Sequence, residues 1–248
     1  HIPARPARLL ATPWSPDLQP DDRLEGRVAF AVYDSRTRDL VLARDRRGQQ
    51  PLFYTLAGRA LHFASEMKSL YCSPAWDGAV DLSAVEDYLS LGYILAPQTI
   101  YRHVRKLEPG HWLRLFGGRI ETRRYWDVPA FDEPVDESKV VGELESLLRS
   151  SVQERLESEV PLGAFLSGGI DSGLVVSFMA EALGHDVTTT SVGFGAAAHN
   201  ELAPAALTAG RFQTRHYAQV IEPRLGEVLD RIVGAFEAGL ALVGRSTG

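Results

Sequence analysis

Cysteine is almost missing from this 248-residue sequence, and the one present, Cys72, leaves no partner for an intramolecular disulfide and no thiolate set for a cysteine-rich zinc site. A basic excess is missing too: Lys and Arg total 26 against 32 Asp and Glu, for a formal net charge of -6. With the two signs interspersed, no face is built to neutralise nucleic-acid phosphates. No apolar run approaches the roughly 20 residues that cross a bilayer. The Pro- and Arg-rich opening from His1 to Pro20 has no hydrophobic signal core. These absences predict a cytoplasmic protein with neither nucleic acid nor membrane as partner. A starting Met is also absent, so His1 is read as the product of processing or truncation.

Clustered ligands are absent as well. His62, His103, His111 and His216 show no His-x-x-x-His spacing and read as surface or satisfied core histidines. Trp14, Trp76, Trp112 and Trp126 read as packing residues.

What is present is a core-forming composition, 45% hydrophobic, with a change of pattern along the chain. The stretch from His1 to Asp22 is given no structure. After Arg27, short apolar runs alternate with turns. Val28 to Tyr33 and Leu40 to Ala43 flank a polar turn, and Leu52 to Leu56 and Ala60 to Ala64 flank Ala57-Gly58-Arg59. A short helix is expected over Glu66 to Tyr71 and a longer one capped by Asp81, with Leu82, Val85 and Leu89 at helical spacing. His111 to Phe116 and Arg119 to Tyr125, split by Gly117-Gly118, predict another hairpin.

From Asp127 to Glu137, prolines and acids without a period mark a linker. Beyond it, Ser138 to Leu156 predicts an amphipathic helix whose stripe, Val141, Leu144, Leu148 and Val152, needs a cover. A buried strand over Pro161 to Leu166, a helix over Asp171 to Leu183, a strand over Thr188 to Phe194, a helix over Asn200 to Phe212 and a strand over Arg215 to Ile221 follow. Leu225, Val228, Leu229, Ile232 and Phe236 predict one more helix. The alternation argues for a parallel sheet.

In such sheets ligands gather where strands end. The string Ser167-Gly168-Gly169-Ile170-Asp171-Ser172 stands at that place. Two glycines let backbone N–H groups close on an anion, the helix start adds its positive dipole end, and two serines add hydroxyls. A lone Gly-Gly would only make a tight turn, and Asp171 alone would only cap a helix. Beside a phosphate, however, the Asp171 carboxylate is repulsive unless a cation such as Mg²⁺ stands between them. The string is neither a Walker A loop nor a Gly-x-Gly-x-x-Gly fingerprint. Phe165 stands where the first glycine of a Gly-x-Ser-x-Gly nucleophile elbow would be, so Ser167 is not read as a nucleophile.

The longer stretch Val160-Pro161-Leu162-Gly163-Ala164-Phe165-Leu166-Ser167-Gly168-Gly169-Ile170-Asp171-Ser172 resembles the synthetase-domain signature of glutamine-dependent asparagine synthetases, members of the PP-loop ATP pyrophosphatases. Ser191-Val192-Gly193-Phe194, with His199-Asn200-Glu201 after it, is similar to the family's next strand and acidic turn. Gly26 to Asp34, Ala43-Arg44-Asp45-Arg46, Pro51-Leu52-Phe53-Tyr54 and Phe63-Ala64-Ser65-Glu66-Met67-Lys68 are similar to its glutaminase domain. The resemblance covers about residues 24 to 237.

It implies an α/β fold class: a β-rich, N-terminal-nucleophile-type glutaminase portion, then a parallel α/β PP-loop domain of the adenine nucleotide alpha hydrolase-like kind. The expected division is 1–23 unassigned, 24–128 the C-terminal part of the glutaminase domain, 129–137 linker, and 138–248 the N-terminal part of the synthetase domain. It further implies asparagine synthase activity with ATP and Mg²⁺. In the family's reaction aspartate is adenylated on its side-chain carboxylate and ammonia from glutamine displaces AMP, and the resemblance implies the same here. Leu166, Ser167, Gly168, Gly169, Asp171, Ser172 and Val192 are the implied ATP-binding residues, with Val192 seating adenine and Asp171 also holding the metal. A homodimer is compatible with this reading.

The sequence departs from the family at both ends. The glutaminase nucleophile is an N-terminal cysteine, where this chain has His1, and Cys72 lies internally with no free amine, so the catalytic residue is unknown. No Arg-Gly-Pro-Asp segment precedes Gly26, no Ser-Gly-x-Gly-x-Asp-Glu segment follows, and Ala238 to Gly248 no longer resembles the family. The expectation is a piece truncated at both ends and inactive alone. Amidation of another carboxylate, β-lactam formation, or nucleotide binding without catalysis are the competing readings.

Overall fold

Alternating side chains and polar turns after Arg27 produce antiparallel pairing, as the sequence predicts. Strands β1 (Ala29–Asp34) and β2 (Asp39–Arg44) form a hairpin. β3 (Phe53–Ala57) and β4 (Ala60–Ala64) form a second, and β6 (His111–Phe116) and β7 (Arg119–Arg124) a third. The last turns on Gly117 and Gly118 at φ 56° and 77°, the left-handed pair that a two-residue hairpin turn requires. The computed structural model describes residues 27–130, 136–156, 161–184, 187–194 and 201–222. They belong to two compact units, one of residues up to 130 and one from 136 onward.

In the first unit the sheet orders are β1-β2-β6-β7 and β4-β3-β5, where β5 (Arg105–Lys106) is a two-residue strand with no sequence signal of its own. Leu42 of β2 and Leu113 of β6 pack with Leu52 and Leu107, and Tyr54 and Leu61 of the second sheet close over them. A second cluster joins Phe53, Met67, Leu70 and Ala84 to Ile100, Tyr101 and Val104. Residues Met67–Cys72 form a 3-10 helix, and α1 (Leu82–Leu91) begins at Asp81, whose carboxylate accepts from the Ser83 N–H. Cys72 is exposed. Trp76 packs between Tyr71 and Tyr101, with ring centroids 4.3 Å away in each case.

The turn after β2 is built around a charge placed inside. Arg44 is buried and donates to three backbone carbonyls: Gln50 O at 2.7 Å, Leu107 O at 2.6 Å and Gly48 O at 2.6 Å. The adjacent Asp45 carboxylate accepts from the N–H groups of Arg47, Gln49 and Gln50. A buried charge is tolerable only when its hydrogen bonds are filled, and residues 45–50 fold back to fill them. Tyr125 ties the far hairpin to the same point, its hydroxyl donating to Arg44 O at 2.6 Å.

The second unit is a three-stranded parallel sheet, order β10-β9-β8, of β8 (Gly163–Phe165), β9 (Thr188–Phe194) and β10 (Arg215–Ile221). Helices α3 (Ile170–Leu183) and α4 (Leu202–Arg211) cover one face, where Leu166, Val176, Ala205 and Ala209 form the core. The expected buried strand over Pro161 to Leu166 is corrected in two respects: pairing is limited to Gly163–Phe165, and Phe165 is 82% exposed on the opposite face. Helix α2 (Glu137–Gln153) starts at Asp136, which caps the Ser138 N–H. Its stripe is covered only toward the C-terminal end. Val141 and Leu144 are exposed, whereas Arg149 stacks 5.0 Å over the Phe178 ring and pairs with Glu181 of α3. The helix expected from Leu225 to Phe236 lies outside the described residues.

Two outcomes follow for the first unit. Gly48 (φ +62°) and Gly58 (φ +61°) are both left-handed, but a Cβ at Gly48 would stand 2.8 Å from the Arg44 guanidinium and Pro109, while at Gly58 nothing lies within 4 Å. Both Gly→Ala changes incur the left-handed cost of about 1–2 kcal/mol, and Gly48→Ala adds about 1–3 kcal/mol of overpacking; urea unfolding should rank them in that order. Burial, seconded by the Asp45 carboxylate, pushes the Tyr125 hydroxyl up to about 12. The folded state therefore holds its proton more tightly than the unfolded chain, whose tyrosine titrates near 10. Its contribution is complete below pH 10 and is lost as pH rises toward 12, so Tyr125→Phe should flatten the loss of stability across that window in pH-dependent unfolding curves.

Candidate functional site

The parallel register places the ends of β8 and β9 side by side: Phe165 pairs with Thr190, and the Leu166 N–H donates to Thr190 O at 2.9 Å. The Ser191 hydroxyl donates to Leu166 O at 2.5 Å. Leu166 is therefore fixed on both backbone sides, and its side chain, 2% exposed, belongs to the core. These bonds hold the chain where the loop leaves the strand.

From that point Ser167, Gly168 and Gly169 lead into α3, with Gly169 at the N-cap and no side chain capping the helix. Three consecutive N–H groups are thus free of any helical or sheet acceptor. The Ser167 N–H donates to Ser172 Oγ at 3.1 Å, the Gly168 N–H to Glu201 Oε2 at 3.3 Å, and the Gly169 N–H to Ser167 Oγ at 3.2 Å. The two serine hydroxyls are also 2.8 Å apart. Every acceptor is an exposed side-chain oxygen, and the oxygens of a bound anion could replace them.

The glycines serve different needs. Gly169 is extended, at φ -82° and ψ 160°. At Gly168 space is decisive: a Cβ there would lie 2.5 Å from Pro204 Cγ and 3.4 Å from Glu201 Cβ. The first turn of α4 is pressed onto the loop, bringing the N-terminal ends of α3 and α4 together.

Asp171, in the first turn of α3, is exposed, where a carboxylate is favoured by the helix dipole. Val192 lies near the end of β9, two residues beyond Thr190 and hence on the same sheet face as Phe165, and is 41% exposed. Ser167, Gly168, Gly169, Asp171 and Ser172 thus share one loop and helix start. Leu166 lies beneath them and Val192 on the other face of the sheet. In the sequence Glu201 is only part of an acidic turn, whereas in the fold it accepts from the Gly168 N–H. A string of residues carries no sign of a partner 33 positions away.

Among the described residues, the histidines do not gather into a cluster. His103 Nε2 lies 3.3 Å from the Asp77 carboxylate, His111 Nδ1 is 2.8 Å from Pro109 O, and His216 Nδ1 is 2.9 Å from Thr189 Oγ1. Among the described residues, no group of three or more His, Cys, Asp or Glu is placed to hold a metal ion by itself. None of the described helices is long and apolar enough to cross a membrane.

Comparison with known proteins follows the same two-part order. The family model described as glutamine amidotransferase domain matches residues 17–126, and the one described as asparagine synthase matches residues 143–247. Asparagine synthetase [glutamine-hydrolyzing] 1 of Bacillus subtilis is 34% identical over 236 residues, covering 94% of this chain and 37% of that protein. A putative asparagine synthetase [glutamine-hydrolyzing] 2 of Methanocaldococcus jannaschii is 32% identical over 83% of this chain and 41% of its own length. Amidase chyE of Penicillium rubens is 30% identical over 64% of this chain and 24% of its own length. The chain thus spans about two fifths or less of these relatives. With both domain types matched in their family order, and with the loop of the synthase part standing at the end of its strand, the chain belongs to the glutamine-dependent asparagine synthetase family.

Proposed function

We propose that the chain is part of an asparagine synthase (glutamine-hydrolysing), a carbon–nitrogen ligase, and that Ser167 to Ser172 receives the pyrophosphate of ATP. The observation that carries this reading is the set of three adjacent N–H groups, at 167, 168 and 169, met only by exposed side-chain oxygens at the start of α3. In the proposed reaction an oxygen of the aspartate side-chain carboxylate attacks the α-phosphorus of ATP, and the bond to the β-phosphate oxygen breaks. Ammonia, free or released from glutamine, then attacks the acyl carbon and AMP leaves. The loop would act on the first step, because its N–H groups and the α3 dipole face the charge that collects on pyrophosphate. The serine hydroxyls of Ser167 and Ser172 would turn from each other to the phosphate oxygens. Val192, half-exposed at its strand end, offers an apolar edge for the adenine ring.

Mg²⁺ belongs to the same proposal, with Asp171 as its protein ligand. The donor set fits: Mg²⁺ is ordinarily held by one or two carboxylates together with phosphate oxygens and water, so one exposed aspartate beside the anion loop suffices. When bound, the ion would neutralise phosphate charge that Asp171 would otherwise repel. Cytoplasmic placement and a homodimeric assembly complete the reading. A second acceptor is favoured by one finding, the similarity to a protein named an amidase rather than an asparagine synthetase; aspartate-dependent release of pyrophosphate separates the two.

The direct test is Asp171→Ala. Calorimetry of ATP binding with Mg²⁺ should show affinity lowered by about tenfold or more, with the thermal unfolding midpoint little changed because Asp171 is exposed. Unchanged affinity for Mg²⁺–ATP would contradict the assignment.

A further inference from the structure

The loop is met by an anion of the chain's own. Of the three acceptors around it, Ser172 Oγ and Ser167 Oγ are neutral and local, whereas Glu201 Oε2 is a carboxylate oxygen from 33 positions away. Glu201 stands at the N-cap of α4, where a side-chain oxygen would ordinarily accept from its own helix, yet it makes no such bond. It reaches instead to the Gly168 N–H. Its position is set by packing, since the site of a Gly168 Cβ is 2.5 Å from Pro204 Cγ and 3.4 Å from Glu201 Cβ. The carboxylate is exposed, and its 3.3 Å bond is longer than the 2.7–2.9 Å of strong charge-assisted bonds. Little is lost when it swings into water.

We propose that Glu201 is an intramolecular competitor for the loop, resting on the Gly168 N–H when the site is empty and displaced when pyrophosphate binds. This rests on the reading of Ser167 to Ser172 as the pyrophosphate site. One N–H cannot serve two anions, and a carboxylate left beside a phosphate is repelled by it, so the two exclude each other. The exchange has two consequences: the loop keeps its open, strand-to-helix shape without a ligand, and the returning carboxylate favours release of the product pyrophosphate.

Inorganic pyrophosphate is the probe, titrated calorimetrically with Mg²⁺ into the wild-type chain, Glu201→Gln and Glu201→Ala, with the ¹H–¹⁵N signal of Gly168 followed in parallel. Both variants should bind about threefold more tightly, the size of effect expected for one exposed charge. The gain should shrink in high salt. Glu201→Gln should also move the Gly168 amide signal before any ligand is added. If Glu201 only positions the loop, or instead binds the metal, the variants will bind equally or more weakly, and the proposal is overturned while wild-type binding keeps the pyrophosphate site intact. Absence of binding in all three proteins would contradict the site assignment and, with it, this inference.

Discussion

Three backbone N–H groups in succession, at Ser167, Gly168 and Gly169, must find acceptors where β8 turns into α3, and the sheet and helix supply none. The arrangement around the site follows from that constraint. A parallel strand pair fixes the exit point through the Ser191 hydroxyl and Leu166 O. Two serines of the same loop meet the outer donors, and α4 closes on Gly168 so tightly that only glycine fits there. Donors held ready but weakly occupied suit an anion that must bind and then leave. Preorganised donors of this kind need no rearrangement at the moment charge develops.

The first unit answers a different constraint with similar means. Arg44 is buried with its guanidinium on three carbonyls, and Asp45 gathers three N–H groups from the following turn. Such a pair fixes a loop conformation more than it adds stability, because desolvating both charges offsets much of the attraction. The result ties β2 to Leu107 and, through Tyr125, to the residues after β7.

Local signals were legible in the sequence and distant ones were not. The three hairpins stand where alternation and Gly-containing or polar turns predict them, and α1 starts at its Asp81 cap. The loop proposed here to hold an anion is a contiguous string, Ser167 to Ser172, and so can be singled out without knowledge of the fold. By contrast, β5 is two residues paired by tertiary contact alone, and the apolar run of Pro161 to Leu166 carries no signal that pairing is limited to Gly163–Phe165. The stripe of α2 predicted burial for Val141 and Leu144, but periodicity gives the face and not the length of its cover. Neither the contact of Glu201 with Gly168 nor the carbonyl cage of Arg44 has a sequence spacing to announce it. Both depend on chain segments that only folding brings together.

We propose that the strand-to-helix loop of the second unit holds the phosphates released from ATP. A crystal structure of the chain grown with Mg²⁺ and pyrophosphate tests it most directly. Phosphate oxygens should lie about 2.7–3.2 Å from the N–H groups of residues 167–169, with the metal against Asp171 and the Glu201 carboxylate turned away. Pyrophosphate bound elsewhere, with Glu201 still on the Gly168 N–H, would contradict it.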